Sequence, residues 1–438
     1  MNSNKPAPIT APFSEPLLPQ LDLPKNPYYT PLHHSLRAYV RNYVDTHIAP
    51  HAAEWEAAGE VPESVRQHYI EHGFGIVHPL TTTEDAAGKS LPNNVPREKW
   101  DTWCGLIVAD EMTRIGYVGV VWGLSAGNGI GCPPIARFGT PEQRRRWLPA
   151  VARGEIRFCL GITEPDAGSD VANISTTATR DGNHYVVSGS KKWITNGIWA
   201  DYCTAAVRTG GPGRKGVSLL VVPLKAEGVT RKRMYNSGVN ASGSTFLEFD
   251  NVKVPVENLI GEENKGFALI MSNFNGERLA LACAALRLSR VCAEDAFKYA
   301  VQRETFGSPL IMRQAIQSKI SKFGLMIEPA QAFMEQLVYI IETAAESGHE
   351  VNIGGMTALL KVMSTRALEK SVREAQQIMG GAGYNKAGKG ARVEQISRDL
   401  RVHVVGGGSE EIMMSLALGE EVKALKSRAK AISNKARL

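Results

Sequence analysis

The 438-residue chain has no Cys-x-x-Cys pair; its six cysteines, Cys104, Cys132, Cys159, Cys203, Cys283 and Cys292, are scattered. That spacing argues against a zinc site or a disulfide framework and for a reducing compartment, with the thiols read as small core residues. No uncharged apolar run approaches about 18 residues, so the sequence offers no membrane span. Charge of one sign is also lacking: 50 Lys+Arg against 44 Asp+Glu leave a net +6. Without basic–aromatic interleaving, that balance reads as a slightly basic surface and not as a nucleic-acid partner. The stretch Met1 to Pro27 holds no arginine and no apolar h-region, so it resembles neither a transit peptide nor a secretory signal. Its prolines fit a flexible arm that drapes over a neighbour.

What is present is an ordinary globular composition, 43% hydrophobic and 21% charged, on a chain too long for one core. It should divide into two or three packed units. Leu36, Tyr39, Val40, Tyr43 and Val44 recur at three- and four-residue spacing, an amphipathic helix, and the helical pattern continues to Arg153. Thr140-Pro141 supplies an N-cap and a first helical residue; Arg144 to Arg146 behind it read as a solvated face. Gly127-Asn128-Gly129-Ile130-Gly131 follows no strand and opens no βαβ unit, so it is no dinucleotide fingerprint but a tight loop between helices. Residues 158–261 read as short alternating strands broken at Asp181-Gly182-Asn183 and Gly210-Gly211-Pro212-Gly213, an antiparallel sandwich or barrel. From Gly266 onward four long apolar-periodic helices, Leu269 to Arg303, Gln314 to Ser347, Gly354 to Met379 and Glu410 to Leu425, read as a bundle. The expected fold is α+β multidomain. An N-terminal arm (1–30) precedes an α-helical domain (31–157), a β domain (158–261), a four-helix bundle (262–425) and a basic tail (426–438).

Within the β region, Phe158 to Asp170 is an apolar strand running into a turn with Pro165, Gly168 and small side chains at Ala167 and Ser169. Such a turn leaves outward N–H groups that, with the hydroxyls of Thr163 and Ser169, suit a flat polar ring or a phosphate. The same residues equally allow an ordinary hairpin turn. The strand Tyr185 to Ser188 then leads through Gly189 to Lys192 into Trp193-Ile194-Thr195-Asn196-Gly197.

This pair of motifs resembles the middle domain of the acyl-CoA dehydrogenase family, and the resemblance runs from about His34 to near Lys423. It implies FAD as cofactor and an oxidoreductase acting on a CH–CH bond of a fatty or branched acyl group. An acyl-CoA loses its α-proton to a carboxylate and its β-hydride to flavin N5, giving the trans-2-enoyl-CoA. In much of the family the base precedes the final helix, a place that falls on Gly407 here. Asn275-Gly276-Glu277-Arg278 resembles instead the isovaleryl-CoA and long-chain branches, which makes Glu277 the expected base. Taken alone Glu277 reads first as a helix-surface glutamate, and the glycine at 407 reverses that reading.

The resemblance places Leu160, Ile162, Thr163, Gly168, Ser169, Trp193, Ile194 and Thr195 on the flavin ring. Arg303 and Thr305 fall at its pyrophosphate, and Gln314, Gln377, Gly380, Gly381, Ser409 and Glu411 elsewhere on the cofactor. The glycine pair also reads as a helix C-cap. Ser169, Asn275, Arg278 and Gly408 are expected to meet the substrate. A flavin shared between subunits implies a homo-oligomer, commonly a tetramer, and the electron acceptor is an electron-transferring flavoprotein or, for an oxidase, oxygen. A flavin-bound acyl-CoA-binding protein without turnover is the third reading. No metal is implied. The terminal Ala436-Arg437-Leu438 resembles a peroxisomal address, the alternatives being cytosol and mitochondrion.

Overall fold

The computed structural model describes residues 11–20, 26–75, 82–349 and 351–435. Ala436-Arg437-Leu438 and the far N-terminus lie outside them. Two compact units form, one from residues 35–274 and one from 275–438 with the segment before residue 35. No helix among the described residues is long and apolar enough to cross a membrane.

The first unit carries helices α1 (Pro31–His47), α2 (Ala52–Ala58), α3 (Glu63–Glu71), α4 (Thr102–Thr113), α5 (Val118–Gly131), α6 (Pro133–Phe138) and α7 (Pro141–Ala152). Thr140 caps α7 as read: its side chain accepts from Gln143 N while the Gln143 side chain reaches back. Gln143 Nε2 also donates to the carbonyls of Glu257 and Leu259, at 2.7 and 2.8 Å, which ties this helix to the sheet. The glycine run 127–131 is not a loop. It is the last turn of α5, and Gly119, Gly123, Gly127 and Gly131 form one bare stripe at four-residue spacing. A Cβ on Gly131 would stand 2.7 Å from Cys159 O, and one on Gly127 would strike Phe158 O. The missing side chains let the helix lie directly on strand backbone.

The strands are β1 (Phe158–Gly161), β2 (Thr177–Asp181), β3 (His184–Ile194), β4 (Tyr202–Arg208), β5 (Val217–Pro223), β6 (Val229–Arg233), β7 (Thr245–Pro255) and β8 (Leu259–Ile260). They run in the order β6-β7-β3-β2-β4-β5-β8, with β1 also on β4. The sheet is mixed and not antiparallel throughout, because β1 and β2 each pair with β4 in parallel. The β2–β3 hairpin intervenes between β1 and β4, and so long a crossover permits a parallel pairing. Strands β4 and β5 are buried on both faces, hence their largely apolar sequences. On one face Ala206, Leu219 and Val221 meet Trp147, Phe158 and Ile270; on the other, Ala205, Val207, Leu220 and Val222 meet Leu247 and Val252.

The second unit holds α8 (Gly266–Gln302) from residue 275 onward, a hairpin of β9 (Glu304–Thr305) and β10 (Ser308–Pro309), and α9 (Gln314–Glu346). It is completed by α10 (Gly354–Met379), α11 (Ala391–Val405) and α12 (Glu410–Lys435). Among the described residues the expected four helices are therefore five. The additional one, α11, buries Val393, Ile396 and His403, and its 3.6-residue periodicity is visible in the sequence. Residues 11–20 also depart from expectation, being seated on the helices and not a free arm. Arg287 and Arg290, each 1% exposed, donate to the carbonyls of Ser14 (3.2 Å), Phe13 (3.1 Å) and Glu15 (3.0 Å). Arg287 pairs with Glu15 and Arg290 with Glu328. The Phe13 ring lies where Gly324 has no Cβ. Buried guanidiniums need such acceptors, and the segment supplies them.

Candidate active site

In the first unit, β1 delivers the chain into the 162–169 turn, and one buried ion pair fixes that turn. Glu164 accepts from Lys191 Nζ (2.7 Å), Ser175 Oγ (2.8 Å) and Thr176 N (3.0 Å), while Lys191 also donates to Ile162 O (3.2 Å). Burial works against the Glu164 carboxylate, yet the Lys191 charge and these donors hold it down at about 2. Lys192 N donates to Thr163 O at 2.8 Å, joining the two sequence motifs edge to edge.

The turn after β3 is anchored by Asn196, whose Oδ1 accepts from Gly127 N (2.7 Å) and whose Nδ2 donates to Ser242 O (2.8 Å). Held between these anchors, Trp193 adopts φ +65°, a strained backbone for an aromatic residue, and is 53% exposed. Leu160, Thr163 and Thr195 are half-buried, Ile162 and Ile194 are buried, and Gly168 and Ser169 face solvent. The Thr163 and Thr195 hydroxyls take no hydrogen bond among the described residues. An exposed indole, two free hydroxyls and the open space at Gly168 fit a flat ring with polar edges.

In the second unit a group of charged residues gathers around Glu277. The residue is half-buried, but its Oε2 is sealed from solvent and has no hydrogen-bond partner. Burial pushes its carboxyl up to about 7, against the opposing charges of Arg278 and Lys361. Arg278 donates to Gly407 O (3.0 Å) and to Asn275 Oδ1 (3.3 Å). Lys361 Nζ donates to the carbonyls of Val404 and Gly408, the latter at 2.9 Å. His403, fully buried beside them, is pushed down to about 4 by burial and by Lys361. Gly407 has φ +67°, and a Cβ there would stand 2.9 Å from Leu281 Cδ1, so this backbone resists the carboxylate that other members carry at that place. Glu410, the other carboxylate next to this turn, is engaged by Arg366. Glu411, in the first turn of α12, is exposed, and Ser409 precedes it.

The remaining expected cofactor residues lie at solvent. Arg303, Gln314, Gln377, Gly380 and Gly381 are exposed, while Thr305 sits in the hairpin with its Oγ1 buried and unpartnered. Arg313 braces that hairpin through Thr305 O (2.7 Å) and Ser308 Oγ (3.0 Å). Sequence reasoning overlooked Lys361, His403 and the Glu164–Lys191 pair. For Lys361 the available signal was a charge inside an apolar period, since it follows Ala358-Leu359-Leu360 at a core-facing spacing.

One unit thus carries a surface that fits a flat ring with polar edges, and the other a sealed carboxylate raised to about 7 with two cations near it, features that suit a flavin-dependent oxidoreductase. The chain belongs to the acyl-CoA dehydrogenase family, whose N-terminal, middle and C-terminal domain descriptions match residues 30–155, 159–252 and 264–419. It is 47% identical over 420 residues to acyl-CoA dehydrogenase AFT10-1 of Alternaria alternata, covering 95% of this chain and 97% of that one. It is 42% identical over 436 residues to acyl-CoA dehydrogenase apdG of Emericella nidulans, covering 98% and 99%. Among solved structures, acyl-CoA dehydrogenase from Geobacillus kaustophilus superposes with TM-score 0.80 at 32% identity, covering 90% of this chain and 98% of that one. The family's cofactor is FAD, and the three-domain order of helices, β domain and helices is this family's fold.

Proposed function

We propose that the protein oxidises an acyl-CoA thioester to its trans-2-enoyl-CoA with Glu277 as the catalytic base. The observation that carries this reading is the sealed, partnerless Glu277 Oε2 beside a glycine turn that has no side chain to offer. A carboxyl titrating near 7 is half ionised at neutral pH, which matches a general base to its task. The N–H groups of Gly407 and Gly408 have no acceptor among the described residues, so they are free to donate to a thioester oxygen and stabilise the developing enolate. FAD, when bound, supplies the acceptor for the β-hydride. Thr163, Trp193 and Thr195 would hold its ring, and Arg303 and Thr305 its phosphates, where arginine forks onto oxygen. Ser169, Asn275, Arg278 and Gly408 contact the coenzyme A thioester in this reading. Exposure of Gln377, Gly380 and Gly381 supports their service to a second copy of the chain, and so a homo-oligomer, taken here as a tetramer. The C-terminal tripeptide supports a peroxisomal address.

The test is anaerobic mixing of the purified yellow protein with short, branched and long acyl-CoAs while visible absorbance is followed. Bleaching by one class is expected and names the substrate. Absence of bleaching by every class would leave a binding protein. Readmitted air separates the acceptors, since rapid reoxidation marks an oxidase and slow reoxidation a dehydrogenase that uses an electron-transferring flavoprotein.

A further inference from the structure

Lys361 does more than the dehydrogenation scheme asks of it. Its side chain is fully buried on α10, and its Nζ reaches the carbonyls of Val404 and Gly408. Arg278 takes the carbonyl between them in sequence, that of Gly407, from α8. The 404–408 turn is thus pinned by two cations through its oxygens, with the Gly407 and Gly408 N–H groups left unbonded. The charged and titratable groups facing Lys361 are Arg278 and Glu277 of α8, Glu410 of α12 and His403 of α11. A neutral amide has enough N–H donors to cap two carbonyls, so pinning the turn does not by itself require a buried ammonium, which is costly to desolvate.

We propose that Lys361 is a positioning residue for proton abstraction: it shapes the glycine turn and supplies the fixed positive charge against which the Glu277 carboxylate forms. This rests on the reading of Glu277 as base. Lys361 itself, lowered to about 8 by burial and by Arg278, is charged in the range where Glu277 titrates. Its charge pulls Glu277 down from where burial alone would put it. Removing that charge therefore raises the pH at which the base ionises.

The experiment uses full-length, FAD-loaded protein bearing Lys361→Gln, which retains N–H donors without charge, Lys361→Met, which retains neither, and Lys361→Arg, which retains both. Two quantities are read: the ionisation midpoint of Glu277 by infrared difference spectroscopy, its band assigned with Glu277→Gln, and the acid limb of kcat/KM. In the Gln and Met variants both should move up by about one pH unit, with kcat/KM at pH 7 falling about fivefold and recovering at high pH. Lys361→Arg should return both toward the wild-type position. Should Met fail to fold, the Gln–Arg comparison decides alone. An unmoved infrared midpoint with normal flavin bleaching overturns the role of Lys361 and leaves the activity standing. Loss of rate by the same factor at every pH also overturns it, leaving a turn-shaping residue only. An upward infrared shift in a protein that no acyl-CoA bleaches supports the charge relation and overturns the dehydrogenation reading instead.

Discussion

At Glu277, the proposed base, two opposed effects meet, and their balance sets where its carboxyl ionises. Burial raises the carboxyl, Arg278 and Lys361 lower it, and burial prevails, leaving it near 7. The base works only when ionised. A raised value therefore means that kcat/KM climbs as pH rises through about 7 and levels off above it. The profile of flavin-bleaching rate against pH measures this, and an acid limb at the ordinary glutamate value would assign the limb to another group. Glu277→Gln preserves shape and removes basicity, so turnover should fall by about 10²–10⁴-fold while the protein stays yellow. Substantial residual activity would transfer the role elsewhere. The candidate was legible in the sequence because two readings agreed: a glycine at 407 and a carboxylate at 277. Lys361 and Lys191 were not, since a lysine in a helix or strand ordinarily extends its amine to water. Only the folded chain shows carbonyls closing around Nζ.

At the scale of the element, α5 shows how a local signal misleads. Five residues containing three glycines suggest a break, because each glycine in a helix costs about 1 kcal/mol relative to alanine. The packing gain outweighs this, since the bare stripe admits β1 backbone at contact distance. Two substitutions of identical chemistry should thus act with opposite sign. Gly127→Ala drives a methyl into Phe158 O and should destabilise by about 1–2 kcal/mol, overpacking exceeding the propensity gain. Gly129→Ala, with nothing within 4 Å of its Cβ, should stabilise by up to about 1 kcal/mol. Thermal melts of the two variants measure the contrast, and shifts of equal sign would remove the stripe argument. Helix α7, by comparison, was readable to its cap, because a capping box is a purely local device.

For the whole molecule, the segment at residues 11–20 contributes acceptors to two arginines that are otherwise sealed inside the helical unit. Truncation of residues 1–20 should leave Arg287 without Glu15 and strip both guanidiniums of backbone carbonyls. Breaking a buried pair of this kind costs about 3–5 kcal/mol. Urea unfolding of the truncated protein measures the loss, and unchanged stability would show the segment to be a passive extension. Composition pointed to an arm because prolines and polar residues dominate there. The partners that hold it are some 270 positions away in sequence, as in the Phe13–Arg290 bond at a separation of 277.

The sequence by itself determined the order of helices, strands and helices, the family and the cofactor, because periodicity, caps and motif spacing are local properties of a chain. Tertiary structure alone decided the parallel pairing of β1 and β2 with β4, the glycine stripe of α5, the anchoring of residues 11–20 and the two cations around the 404–408 turn. Each of these depends on the environment of a group, whether a backbone edge, a missing Cβ or a desolvated charge, and environment is fixed only when distant segments close upon one another.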